Sequence, residues 1–287
     1  MIYEMEEQLK KASRILRNAE ALLISAGAGI GVDSGLPDFR GNEGFWKAYP
    51  PLAKLGRSFV QMATPDRFYD SPKLAWGFYG HRLNLYRRIV PHAGFSKLLN
   101  MAQQKPEGYF VFTSNVDGQF QKAGYEASRI VECHGSIHYF QCIKPCGCDI
   151  WDAGNISIDV DEKCFEAVEP LPRCIQCGSI ARPNILMFGD WSWNAERTDI
   201  QERRFREWLK KVLCRGICLV VLEIGAGRAV ATVRHLSEQI SASHRATLIR
   251  INPRDYDVSD PNDISIPLGA LEAINDIVRY AAGNFND

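Results

Sequence analysis

Two close cysteine pairs, Cys142-x3-Cys146 and Cys174-x2-Cys177, are arranged more plainly for chemistry than anything else in the chain. Thiolates at this spacing, at the two ends of a small polar stretch, suit a closed tetrahedral metal site that staples structure and takes no part in a reaction. Cys148 is a second candidate for the place taken by Cys146. A different chemistry is written in glycines. The apolar run Ala21-Leu22-Leu23-Ile24 breaks into Gly27-Ala28-Gly29-Ile30-Gly31, and a strand feeding a glycine turn is how α/β folds offer backbone N–H groups to a phosphate. Val32 stands where the third glycine of a full G-x-G-x-x-G would fall, so the turn alone serves equally as a plain strand-to-helix connection. A second junction of the same kind, Leu222-Glu223-Ile224-Gly225-Ala226-Gly227, comes late in the chain, and Ile251-Asn252 ends the next apolar run. The two junctions and Asn252 together favour a dinucleotide. Between them lie groups that could hold a polar ligand or move a proton. Asn115 and Asp117 follow the run Tyr109–Thr113, where such residues commonly cap a helix. His134 follows Ile130–Cys133, and imidazole, with an ordinary pKa near ~6.5, suits a base at neutral pH. His138 reads as an ordinary half-buried polar residue.

The elements that must position these groups follow from periodicity. Ile2, Met5, Leu9, Ala12, Ile15 and Leu16 recur at helical spacing, so residues 3 to 19 form an amphipathic helix leading to the first strand. Residues 42 to 90 are aromatic, broken by Pro50-Pro51, Pro65 and Pro72, and end in a helix over about 73 to 89. A helix over 92 to 102, strands at 109–113 and 130–133, and the cysteine-bearing stretch 139 to 186 come next. A helix near 197 to 213, a strand at 218–224, a helix near 229 to 241, a strand at 246–251 and a helix over 268 to 281 complete the chain. Strands alternating with helices imply an α/β fold, a mostly parallel sheet with helices on both faces. The 287 residues, 46% of them hydrophobic, are enough for one large domain plus a small one. Lys+Arg and Asp+Glu both number 34, which removes any global electrostatic argument for nucleic acid or an anionic membrane as partner. No run approaches the ~18 to 20 apolar residues of a membrane span, and the acidic, amphipathic start points to the cytoplasm. Nine cysteines in such a compartment are better explained by metal than by disulfides.

Taken with its tail, the first junction reads GAGIG-x-x-SGLPDFRG, which closely resembles the first signature of the sirtuins, the NAD-dependent protein deacylases. Five further segments resemble that family in order: Thr113-Ser114-Asn115-Val116-Asp117, His134-Gly135, the cysteine pairs, Arg182 to Asp190, and the Gly225 junction with Asn252. The resemblance implies a Rossmann-like domain (1–45, 91–138 and 187–287) and a small domain made of a helical insertion (46–90) and a zinc-binding insertion (139–186). It implies NAD as co-substrate, contacted by Gly27, Ala28, Gly29, Val32, Asp38, Phe39, Arg40, Ser114, Asn115, Val116, Asp117, Gly225, Ala226, Gly227 and Asn252. Ser114 stands where the family has Gln, and Ala226 and Gly227 stand where it has two hydroxyls, so adenosine contacts would fall to backbone amides or to Arg228. His134 is the implied general base and Asn115 the support of the ribose reaction. One structural zinc per chain is implied, held by Cys142, Cys146, Cys174 and Cys177, and Phe188, Gly189 and Asp190 would border an extended acyl-lysine peptide.

Tyr79 and Arg82, three apart on one helix face, resemble the Tyr-x-x-Arg pair of the desuccinylase and demalonylase branch, in which Arg receives an acyl carboxylate through two parallel hydrogen bonds. The implied activity is removal of acetyl, and of succinyl or malonyl, from protein lysines, with nicotinamide and O-acyl-ADP-ribose as products. Two alternatives stand beside it: an NAD hydrolase or ADP-ribosyltransferase, and a non-enzymatic NAD-responsive scaffold.

Overall fold

The computed structural model describes residues 2–282 except 38–44, 48, 55, 162 and 245. Asp38, Phe39 and Arg40 of the expected cofactor loop therefore lie outside the described residues.

Helix α1 (Ile2–Asn18) delivers the chain to strand β1 (Ala21–Ala26), buried at every position. Strands β2 (Tyr109–Thr113) and β3 (Ile130–Glu132) follow it. Gly135–Cys142 is β4, and the two-residue strands Trp151–Asp152, Val160–Asp161 and Glu166–Ala167 are β5, β6 and β7. Ala181–Ile185 is β8; Leu219–Ile224, Thr247–Ile251 and Ile264–Ile266 are β9, β10 and β11. Six of these make a wholly parallel sheet ordered β11-β10-β9-β1-β2-β3. That is the doubly wound arrangement, in which chain direction across the sheet reverses between β1 and β9, and a crevice opens there beyond the strands' carboxyl ends. Strands buried on both faces must be near-continuous apolar runs, which is why β1, β2 and β9 are legible as runs of Leu, Ile, Val and Phe. The expected strands agree to within a residue or two. β11 was not expected: three residues, Ile264-Ser265-Ile266, are too few to carry a pattern.

Helices cover both faces. On one lie α1, α3 (Ala93–Gln103) and α6 (Ala270–Ala282), packed on Leu22, Ile24, Val111 and Ile249; on the other lie α4 (Glu196–Cys214) and α5 (Thr232–His244), packed on Leu23, Phe110 and Val221. Helix α5 starts at Thr232 and not near 229, because residues 225–231 are spent on the glycine turn.

The second layer is different. β5-β4-β8 form a small antiparallel sheet, and short helices Pro50–Lys54, Phe59–Met62 and Arg67–Asp70 precede α2 (Pro72–Arg88). The stretch 139–186 lacks a core of its own, and the aromatic segment supplies one: Phe45, Tyr49, Phe68, Trp76, Phe78 and Tyr79 pack with Ile137, Phe140, Ile143 and Phe165 in a single buried cluster. Trp76 also donates its indole N–H to the Ala181 carbonyl at 2.9 Å, tying α2 to β8. Among the described residues no helix is long and apolar enough to cross a membrane.

Candidate functional site

The two glycine junctions meet at the reversal point of the sheet. Gly27 donates to the Ile224 carbonyl at 3.0 Å, Gly29 to the Gly225 carbonyl at 3.0 Å, and Gly225 to the Ile251 carbonyl at 2.9 Å. A Cβ on Gly27 would lie 2.7 Å from Ala226 Cα, and one on Gly225, at φ +64°, would lie 2.4 Å from the Ile30 nitrogen. The glycines therefore let two turns pack backbone to backbone. This corrects part of the expected anion cradle: the amides of Gly27 and Gly29 are already bonded. The turn continues into a 3-10 helix, Ala28–Ser34. Val32 is exposed on it.

Asn115 joins the same junction from β2, its side-chain nitrogen donating to the Gly27 carbonyl at 3.0 Å, while the Thr113 hydroxyl fixes the turn by donating to the Ala26 carbonyl at 2.9 Å. The Ser114 N–H is bonded to that same carbonyl, at 3.2 Å, and Val116 is buried. Asp117 is 8% exposed and accepts the Gln119 N–H at 2.9 Å; burial, reinforced by the charge of Glu132, pushes its pKa up to about 6. Asn252 is fully buried, donating to the Ala226 carbonyl at 2.8 Å and accepting the Arg254 and Asp255 N–H groups at 3.1 Å, so its side chain shapes the turn. Gly227 lies beyond it, half exposed. Arg228 does not turn inward: it pairs with Asp257 and, at 3.7 Å, with Asp255.

His134 sits past the end of β3, half-buried, and its Nε2 is 3.3 Å from the Thr232 hydroxyl at the first turn of α5. Burial lowers its pKa, so the ring is neutral at physiological pH and able to accept a proton. Glu132 anchors the strand behind it: its carboxylate pairs with Arg197, and its backbone N–H donates to the Gln201 side-chain oxygen at 3.0 Å. The Thr232 partner carries no sequence signal except a hydroxyl at a helix start.

The Leu186 N–H donates to the His134 carbonyl at 3.0 Å, which lays the segment after β8 beside the histidine. β8 is an outer strand that ends at Ile185; Phe188 and Gly189 lie in a turn, with Gly189 at φ +66°. The Asp190 carboxylate is held by Arg182 through bonds of 2.6 and 3.0 Å, both side chains being fully buried, so only backbone remains there for a ligand.

Tyr79 and Arg82 are not a solvated helix face. Arg82 is 6% exposed, donates to the Tyr86 hydroxyl at 3.0 and 2.8 Å, and lies against the rings of Phe78 and Tyr79. The buried Tyr79 hydroxyl has no hydrogen-bond partner among the described residues, and burial pushes its pKa up to about 12.

The sulfurs of Cys142, Cys146, Cys174 and Cys177 all lie within 4.8 Å of one another, with Cys142–Cys177 at 3.5 Å and Cys146–Cys174 at 3.6 Å. Four thiolates at ~2.3 Å from one tetrahedral zinc would be about 3.8 Å apart. Disulfides need about 2.05 Å. Hydrogen bonds from Ser179 hold the Cys177 pKa down to about 6, while burial pushes the Cys142 thiol up, so all four would be thiolates only with a cation among them. The donor set fits zinc, and Cys148 stands outside the quartet.

The Sir2 family model matches residues 27–221. A NAD-dependent protein deacylase of Leptospira interrogans is 29% identical over 260 residues, 90% of this chain and 92% of its own length. Another, of Aquifex aeolicus, is 33% identical over 173 residues, 59% of this chain and 62% of its own. Among solved structures, one of a study of the mechanism and regulation of Sir2 enzymes superposes with a TM-score of 0.69 at 23% identity, over 96% of this chain and 98% of that one. A Sir2 homologue in complex with NAD gives 0.65 at 22% identity, over 94% and 93%. At these identities the structural likeness speaks for the fold.

Proposed function

The chain belongs to the Sir2 family, and on that premise we propose that it removes acyl groups from protein lysine side chains at the expense of NAD. The observation that carries this reading is the meeting of both glycine junctions, Asn115, Asp117 and His134 along the carboxyl edge of one doubly wound sheet. NAD would lie across the β1/β9 crevice, with Gly27 to Gly29 and Gly225 to Gly227 close to its pyrophosphate and ribose. Asp117 would hold the nicotinamide carboxamide. Asn115 would support the nicotinamide ribose while the acyl oxygen attacks C1′ and nicotinamide leaves. His134, neutral because it is buried, would take a proton from a ribose hydroxyl so that the acyl group transfers to ADP-ribose. Zinc, held by Cys142, Cys146, Cys174 and Cys177, would supply shape to the smaller unit and no step of the chemistry.

The acyl group would be acidic. Arg82 lies against the Tyr79 ring among buried aromatic side chains, where water is scarce, and a succinyl or malonyl carboxylate reaching it would gain charge-assisted bonds that an acetyl group lacks. Nicotinamide release from NAD, with and without an acyl-lysine peptide, tests the activity. Release that depends on the peptide supports deacylation; release from NAD alone favours a hydrolase; none in either favours a scaffold. Comparing kcat/KM for succinyl and acetyl forms of one peptide tests the preference.

A further inference from the structure

Strand β4 runs from the proposed base to the thiol quartet: His134 precedes it, His138 is in its middle and Cys142 ends it. Its pairing with β8 is irregular between Ser136 and Phe140, and such an irregularity re-aims the side chains inside it. His138 lies there and faces the loop after β2, with Nε2 2.9 Å from the Asp117 carbonyl oxygen. One residue earlier the Ile137 N–H donates to the Val116 carbonyl at 3.0 Å. The smaller unit thus grips the Asp117 loop from behind at two adjacent points. Gly118 makes the grip possible. Its φ is +72°, and a Cβ there would stand 2.8 Å from both Nε2 and Cδ2 of His138. A carbonyl only accepts, so Nε2 must carry the ring proton.

We infer that His138 is a positioning residue for Asp117: it holds the backbone of the residue whose carboxylate would grip nicotinamide, and it links that grip through β4 to the zinc-stapled unit. This rests on the deacylase reading above. A residue of this kind should act on nicotinamide and leave the acyl peptide alone.

His138→Phe keeps a ring and removes the donor, while His138→Gln can present an amide N–H near the place of Nε2. With exchange of labelled nicotinamide into NAD as the readout, His138→Phe should raise the nicotinamide KM roughly tenfold, as loss of one buried hydrogen bond does. The KM for the acyl peptide and the zinc content should stay at wild-type values, and His138→Gln should recover most of the loss. An unchanged nicotinamide KM in His138→Phe overturns the inference, as does an equal loss for nicotinamide and peptide that Gln fails to rescue. Should the Phe variant not fold, ¹⁵N NMR of the wild-type histidine decides: an Nε2-protonated ring whose signals move with added nicotinamide is expected, and an Nδ1-protonated one contradicts it. A wild-type protein that neither exchanges nicotinamide nor responds to acyl peptide removes the deacylase reading together with this one. Active wild-type enzyme with an indifferent His138→Phe removes this one alone.

Discussion

β1 is buried at all six of its positions and paired on both sides, with β2 and with β9, whereas β5, β6 and β7 of the smaller unit are two residues long and partly exposed. The parallel sheet is held by aliphatic burial spread over many residues, each buried Leu, Ile or Val worth about 1.5–3 kcal/mol. It can therefore carry costly features at one edge, such as a buried carboxylate at Asp117 and two glycine turns in backbone contact. Within the smaller unit the stretch 139–186 has no such reserve: it shares the aromatic core of residues 45–86, closes a buried Arg182–Asp190 pair, and gathers four thiols. One region has aliphatic burial to offset a costly site; in the other the cysteine-bearing stretch relies on a few point attachments, and that unit would set substrate access.

Removing a point attachment should separate the two most strongly. Cys174→Ala leaves three thiolates for the metal, and structural zinc supplies roughly 10–16 kcal/mol in small zinc modules. Zinc should fall from one per chain to near none, with peptide-dependent activity lost, while hydrogen exchange stays slow in β1, β2 and β9 and becomes fast in β4 and β8. Equal loosening of both regions, or a wild-type protein without zinc, would break the comparison.

His134→Ala acts at the sheet edge and should do the reverse: turnover falls roughly 10²- to 10⁴-fold, the loss typical of a general base, with zinc content and NAD affinity kept. Near-full turnover would take His134 out of the reaction.

Arg82→Met tests the smaller unit as selector. Loss of a charge-assisted pair of about 1.5–3 kcal/mol should depress desuccinylation roughly 10- to 150-fold and spare deacetylation. Equal losses on both peptides, or a wild-type preference for acetyl, would make Tyr79 and Arg82 packing residues only.

The smallest effect is a pH dependence of stability at Asp117. Its folded pKa, about 6, lies above the ordinary 3.8, so between these values the folded state binds more protons than the unfolded one. Stability from this group is greatest below about 3.8 and is lost as pH rises through about 6. Asp117→Asn should therefore gain melting temperature relative to wild type at pH 8 and lose that advantage near pH 4, while using nicotinamide poorly. A difference that does not vary with pH would mean that the carboxylate is not buried at a cost.

Legibility followed the same division. Parallel strands announce themselves because both faces are apolar, and the two glycine junctions stood out because turns in close contact exclude side chains at Gly27 and Gly225. The cysteine spacing allowed either Cys146 or Cys148; chain geometry chose Cys146. What could not be read were the groups whose role is set by a partner distant in sequence. Asp190 looked available to a peptide, yet Arg182 holds it. Arg228 could have turned inward, but Asp257 holds it outside. His138 looked ordinary because nothing local marks a strand irregularity that turns its ring to Asp117.

The most direct test of the account follows the acyl group. Incubating the protein with NAD and a succinyl-lysine peptide, then measuring nicotinamide, free-lysine peptide and acylated ADP-ribose in the same sample, should give the three in equal amounts, with none formed when the peptide is unmodified. Free succinate without acylated ADP-ribose from the first minutes, or nicotinamide released in excess of peptide turnover, would contradict it.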